Sequence, residues 1–214
     1  RSIEKPAFGS ITTNRVSISL PESKSFVRVM QIPVTNESQV ESAVMFEAES
    51  YVPMPMDQVY FDWKIVRKLE GAMEVLIVAS PKETVDAYIN VLEKAHLKPI
   101  AVEVESQSLE RALINEKTQE TALLIDIDAW QTNLIMIERG NLQFTSSIPI
   151  AGSTFTERIS QALGVTPQKA ESIKREVGLT STPEYPNIKA ALQPVLVSLS
   201  EEIKNIIKFH YDHS

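Results

Sequence analysis

The sequence predicts a mixed α/β protein: one compact α/β unit, then a segment of different texture. Three observations predict it. Strict apolar–polar alternation recurs along the chain, as in Val59, Phe61, Trp63 and Ile65, and a period of two marks a half-buried strand. Other stretches place apolar residues at steps of three and four, the mark of a helix with one buried face. Residues 24–105 spell strand, helix, strand, strand, helix, strand, whereas from residue 121 three strands come in quick succession and helices follow.

Val16, Ile18 and Leu20 alternate with Ser17 and Ser19 as a first strand, which Pro21 ends. Residues 25–32 form a second. Asn36 with Gln39, or Ser38 with Glu41, makes a capping box for a helix carrying Val40, Ala43, Val44, Ala48 and Tyr51. Pro53 stops it, because the residue before a proline avoids the helical region. Residues 59–66 and 73–79 are strands joined at Glu70-Gly71. Ser80-Pro81-Lys82-Glu83 predicts a serine-capped helix with proline at its first position, carrying Val85, Tyr88, Ile89 and Leu92. Both helices are expected on one sheet face. Pro99 closes the second, a strand through Ile100, Val102 and Val104 follows, and Ser106 caps a short helix with Leu109, Ala112 and Leu113. Residues 122–127, 133–138 and 142–150 are strands, the last two joined tightly at Gly140-Asn141. Phe155, Ile159, Ala162 and Leu163 mark a helix stopped by Gly164, and Thr166-Pro167 opens another that ends at Gly178. A last helix runs from Ile188 through Ile207, with Pro194 expected in its first turn.

Composition narrows the chemistry. The 214 residues include no cysteine, which removes disulfides, thiolate catalysis and cysteine metal sites. A net charge of -7 opposes non-specific binding to nucleic acid or anionic lipid. No apolar run approaches the roughly 20 residues that span a bilayer. The six glycines are scattered, so no glycine-rich loop cradles a phosphate. The chain opens on Arg1, which suits a piece of a longer protein.

Candidate sites are few. Asp126 and Asp128, two apart at a strand end, suit either a solvated turn or a Mg²⁺ held through water. Glu103 and Glu105 suit a polar strand face better than an acid/base pair, since no nucleophile accompanies them. His210 and His213 are spaced for a metal, but His96 is the sole other histidine. Met30 and Met45 read as core. Met54 and Met56 alternate with Pro53 and Pro55 outside a helix, where thioethers suit either gap-filling or an adaptable binding surface.

Successive landmarks then resemble one family. "SLPES" (19–23), "FVRVMQIP" (26–33), "FEAESYVPMP" (46–55), "VYFDW" (59–63), "VLIVASPKE" (75–83), "AVEVESQSLERAL" (101–113), "LLIDIDAWQTNLIMIERG" (123–140) and "FTSSIPIAG" (144–152) are similar, in unbroken order, to the PilM family of type IV pilus assembly. The resemblance implies an actin-like ATPase (ribonuclease H-like) fold with an inserted α/β subdomain of the kind found in FtsA. Residues 24–98 would be that subdomain, 1–23 and 99–120 the rest of the first lobe, and 121–214 the second lobe. It implies a cytoplasmic adaptor that binds the N-terminal tail peptide of a PilN-like inner-membrane protein, in a groove between the first lobe and the inserted subdomain. The membrane would be reached only through that partner. Tyr51, Val52, Met54 and Met56 are the partner-binding candidates, for the tail or for self-association. Alternatives within the resemblance are an ATP-binding actin-like ATPase and an FtsA-type membrane anchor. The resemblance implies ATP and Mg held by three motifs, of which only the second phosphate hairpin is present here: Asp126, Thr132 and Asn133 match it, and Asp128 lies within it. The chain begins after the first motif and ends before the third. Position 128 is Asp where the family usually has Gly, and a carboxylate there repels phosphate. No bound nucleotide is therefore expected on these residues alone.

Overall fold

The computed structural model describes residues 11–33, 36–115 and 117–213. The chain divides into two compact units, 1–120 with 137–144, and 121–136 with 145–214.

In the first unit, β1 (Arg15–Leu20) pairs in parallel with β5 (Lys98–Val104). Pro99 lies inside β5 rather than closing a helix, where the ladder with β1 is irregular between Val16 and Ser17. A proline cannot donate to a ladder and is tolerated at such irregularities. A second, antiparallel set places β4 (Ala72–Pro81) between β2 (Phe26–Ile32) and β3 (Val59–Leu69). The first unit also takes in residues from beyond the connecting stretch at 114–120: Phe144 pairs antiparallel with Arg28, and Leu142 N–H donates to Glu110 Oε1 at 3.0 Å.

Helix α1 (Glu37–Tyr51) is capped by Asn36, whose Oδ1 accepts from Ser38 N–H at 3.0 Å. It buries Val40, Val44 and Ala48 against Met30, Ile32, Met73, Val75, Ile77 and Ala79. Burying each valine stabilises by roughly 1.5–3 kcal/mol. The strand period puts Leu76, Val78 and Ser80 on the other sheet face. There they line a cavity with Val85 and Ile89 of α2 (Lys82–Lys94). The two helices thus take opposite faces, against expectation. Helical spacing shows which side of a helix is apolar but not which side of a sheet it meets. Ser80 does not cap α2 either. It belongs to β4, and its hydroxyl meets that of Ser25 at 2.9 Å. Helix α3 (Glu105–Leu113) is capped from a distance: Ser106 N–H donates to Oε2 of the buried Glu22 at 3.1 Å.

The second unit holds β6 (Thr121–Ile127), most of β7 (Thr132–Glu138) and the end of β8 (Asn141–Ile148). Arg139 and Gly140 both take positive φ (50° and 74°) in the β7–β8 turn, the conformation a two-residue hairpin of this twist needs. Three helices follow: α4 (Gly152–Leu163), α5 (Pro167–Val177) and α6 (Ile188–His213). Ile159, Ala170, Ile173, Ile188 and Leu192 form one core, and Leu134, Ile148 and Leu199 another. The apolar stripe of α6 is therefore used in packing. Pro194 is the seventh residue of α6, not in its first turn.

Candidate functional site

A cavity of about 440 Å³ opens in the first unit. Its floor is apolar: Leu76 and Val78 of β4, Val85 and Ile89 of α2, and Leu20 of β1. Its sides are strands seen edge-on. Residues 60–64 of β3 all line it, and so do residues 102–104 of β5. Side chains of a strand alternate between faces, so an unbroken run can line one cavity only where the backbone itself faces it. Both strands are outermost among the described residues, since β3 pairs only with β4 and β5 only with β1. The trough thus offers apolar side chains below and main-chain groups on two sides.

The polar groups around it are ordered. Tyr60 Oη donates to Asp86 Oδ1 at 3.0 Å, and this bond, with the charge of Asp86, pushes the phenol up from its ordinary range. Lys82 Nζ lies 5.8 Å from the Tyr60 ring centre and donates to the Asp57 carbonyl at 2.8 Å. Trp63 N–H donates to Asp62 Oδ1 at 2.8 Å. Across the trough, Arg111 grips Glu103 with two nitrogens, one at 2.6 Å, which holds that carboxyl below its usual range. Glu105 accepts from Glu22 N–H at 3.3 Å. Both glutamates are thereby engaged within the protein, Glu103 also by the Ser108 hydroxyl.

In the second unit the turn from β6 to β7 is closed by Asp128 N–H donating to the Gln131 carbonyl at 3.0 Å. The first amides of α4 hold it: Gly152 N–H donates to the Asp128 carbonyl at 2.9 Å and Ser153 N–H to the Ala129 carbonyl at 2.8 Å. Gly152 eases this approach, because a Cβ there would lie 3.2 Å from the Asp128 carbonyl oxygen and would push the turn back by a few tenths of an ångström. Lys174 reinforces it from α5. Its Nζ donates to the Gly152 carbonyl and to Thr156 Oγ1, both at 2.9 Å, and pairs with Glu171 at 2.7 Å.

The sequence matches the type IV pilus assembly protein PilM family over residues 7–214. The chain belongs to that family. A solved PilM–PilN type IV pilus biogenesis complex is similar at 26% identity and a TM-score of 0.78, over 95% of this chain and 60% of that one. Two further structures share the fold. Ethanolamine utilization protein EutJ from Carboxydothermus hydrogenoformans is 21% identical, with a TM-score of 0.50, over 60% of this chain and 44% of its own. MreB 5 of Spiroplasma citri, bound to AMPPNP, is 18% identical, with a TM-score of 0.50, over 59% and 47%. The fold is actin-like. The chain spans 60% of the length of the PilM chain it matches.

The second phosphate hairpin expected from the resemblance would fall at the β6–β7 turn. Here its polar side chains are committed within the protein. Thr132 is buried and donates Oγ1 to the Ile150 carbonyl at 2.6 Å, and Asn133 Oδ1 accepts from Ser147 Oγ at 2.7 Å. Asp128 Oδ1 takes Ala129 N–H at 2.7 Å. Asp126 is half-buried on β6. No group of three or more His, Cys, Asp or Glu suited to a metal occurs among the described residues. Three of the four hairpin residues, Asp128, Thr132 and Asn133, are thus bonded within the protein.

The other sequence candidates lie elsewhere. Val52 is buried in the α1 core, and Met54 and Met56 pack against it, on the sheet face opposite the cavity. Tyr51 is exposed beneath the Arg28 guanidinium, 5.3 Å from its ring centre. His210 is buried, and the side chain of His213 lies outside the described residues. Of the cavity residues, sequence reasoning singled out only Glu103 as a candidate, and for another role. Several landmarks run through them, "VYFDW" most fully, but alternation alone cannot tell that a strand is an edge.

Proposed function

We propose that this chain is an adaptor of type IV pilus assembly that holds an extended N-terminal segment of a PilN-like inner-membrane protein in the trough between β3 and β5. One observation carries it: two outermost strands present consecutive residues to a single apolar-floored cavity. Added strands gain affinity from main-chain hydrogen bonds and specificity from pockets for alternate side chains, and this cavity supplies both. Similarity to the PilM–PilN complex supports the choice of partner. The lobes follow the same reading: residues 24–98 are the inserted subdomain, and the trough separates them from the β1–β5 pair. The protein then works in the cytoplasm and meets the inner membrane through its partner. No helix among the described residues is long and apolar enough to cross a membrane. Because α6 spends its stripe on the core, the adaptor reading is favoured over an FtsA-type anchor.

Titration calorimetry with a synthetic peptide of the partner's N-terminal tail tests this. Val102 lines the trough and is 38% exposed, so Val102→Asp should leave the fold intact. It should weaken binding at least about tenfold, since a desolvated unpaired charge is costly. Unchanged affinity in that variant, or no heat with the wild type, rejects the proposal.

A further inference from the structure

The β3 edge carries a device of its own. In an antiparallel pair, alternate residues turn their N–H and C=O toward the partner and the rest turn outward. Trp63 N–H is held by Asp62 Oδ1 at 2.8 Å, which places the odd-numbered amides of this stretch on the side away from β4. That side is the wall of the trough. An added strand must bond this amide through one of its own carbonyls, yet the exposed Asp62 carboxylate already occupies it. Carboxylates on open strand edges also block unwanted pairing with other chains.

We infer that Asp62 is the gate residue of the β3 edge: its carboxylate caps Trp63 N–H in the free protein and yields that amide to a carbonyl of the docked segment. This rests on the docking of an extended PilN-like segment proposed above. The exchange is one hydrogen bond for another. No covalent bond changes, and the released carboxylate turns into water at the trough mouth. Asp62 therefore sets how selectively the edge accepts a strand rather than how tightly the floor holds its side chains. Removing the carboxylate leaves Trp63 N–H open, so a docking strand no longer competes for it.

The test compares wild type, Asp62→Ala and Asp62→Asn against the same synthetic tail peptide by calorimetry. Amide exchange at Trp63 is followed by NMR. Asp62→Ala should bind about three- to tenfold more tightly, the usual worth of one partly exposed hydrogen bond. Asp62→Asn, whose amide oxygen still accepts, should fall between. In the free protein, Trp63 N–H should exchange faster in Asp62→Ala, while the melting temperature stays unchanged. Peptide should slow that exchange in all three proteins. Binding to the wild type with equal or weaker binding to Asp62→Ala overturns the gate and leaves docking intact. So does peptide that binds without protecting Trp63 N–H. Absence of binding to every protein overturns both.

Discussion

Glu22 shows how much one buried carboxylate can organise. It is 3% exposed, and its Oε2 accepts Ser106 N–H, an amide in the first turn of α3 that has no helical partner. Its own N–H donates to Glu105 Oε2, so the turn before β2 and the start of α3 cap each other. Beside them, Ser106 Oγ is buried with no hydrogen-bond partner. The two side chains thus pull opposite ways. Glu22→Ala strands a buried donor and should cost roughly 1–3 kcal/mol, whereas Ser106→Ala removes a stranded group and should be close to neutral or stabilising. Urea unfolding of the two variants checks the contrast. Equal losses would mean that the cap is not the source of stability.

At the level of elements, a charged tie joins α4 and α5 beside their apolar core. Lys174, Arg175 and the Thr156 hydroxyl all bond Glu171, and together they hold its carboxyl down at about 2 against an ordinary 4.5. A carboxylate lowered on folding adds stability that is present above its ordinary value and is lost as pH falls toward 2. Glu171→Gln should therefore flatten the acid limb of the stability curve between those values, read as melting temperature against pH. An acid limb as steep as the wild type's would place the effect elsewhere. Much at this scale was legible in the residues. Asn36 as a cap, Val40, Val44 and Ala48 as a buried stripe, and Thr166-Pro167 with Gly178 as helix bounds all follow from local chemistry. Ser80 and Pro194 misled because local signals were overruled: Ser80 was drawn into the β4 ladder, and Pro194 sits within a helix whose stripe is packed on both sides of it. The trough was not legible, since it depends on β3 and β5 being outermost, a matter of pairing between distant segments. Asp62 needed the same knowledge before its bond to Trp63 N–H acquired meaning.

For the molecule as a whole, an actin-like fold need not imply a nucleotide grip on these residues. The resemblance would put a phosphate hairpin at the β6–β7 turn, but sites are made by side chains and free amides rather than by topology. Here Thr132, Asn133 and Ala129 N–H are bonded internally, and the leading amides of α4 hold the turn's own carbonyls. We propose that the 214 residues bind Mg-ATP weakly or not at all. A ligand at 100 times its Kd stabilises by about 2.7 kcal/mol, which raises the melting temperature of a protein this size by roughly 5–10 °C. Millimolar Mg-ATP should instead raise it by less than about 1 °C. Asp128→Gly should not change that outcome, because it frees one amide while Thr132 and Asn133 stay engaged. A rise of several degrees in the wild type would show that the internal bonds open for phosphate. A rise in Asp128→Gly alone would make that single carboxylate the barrier.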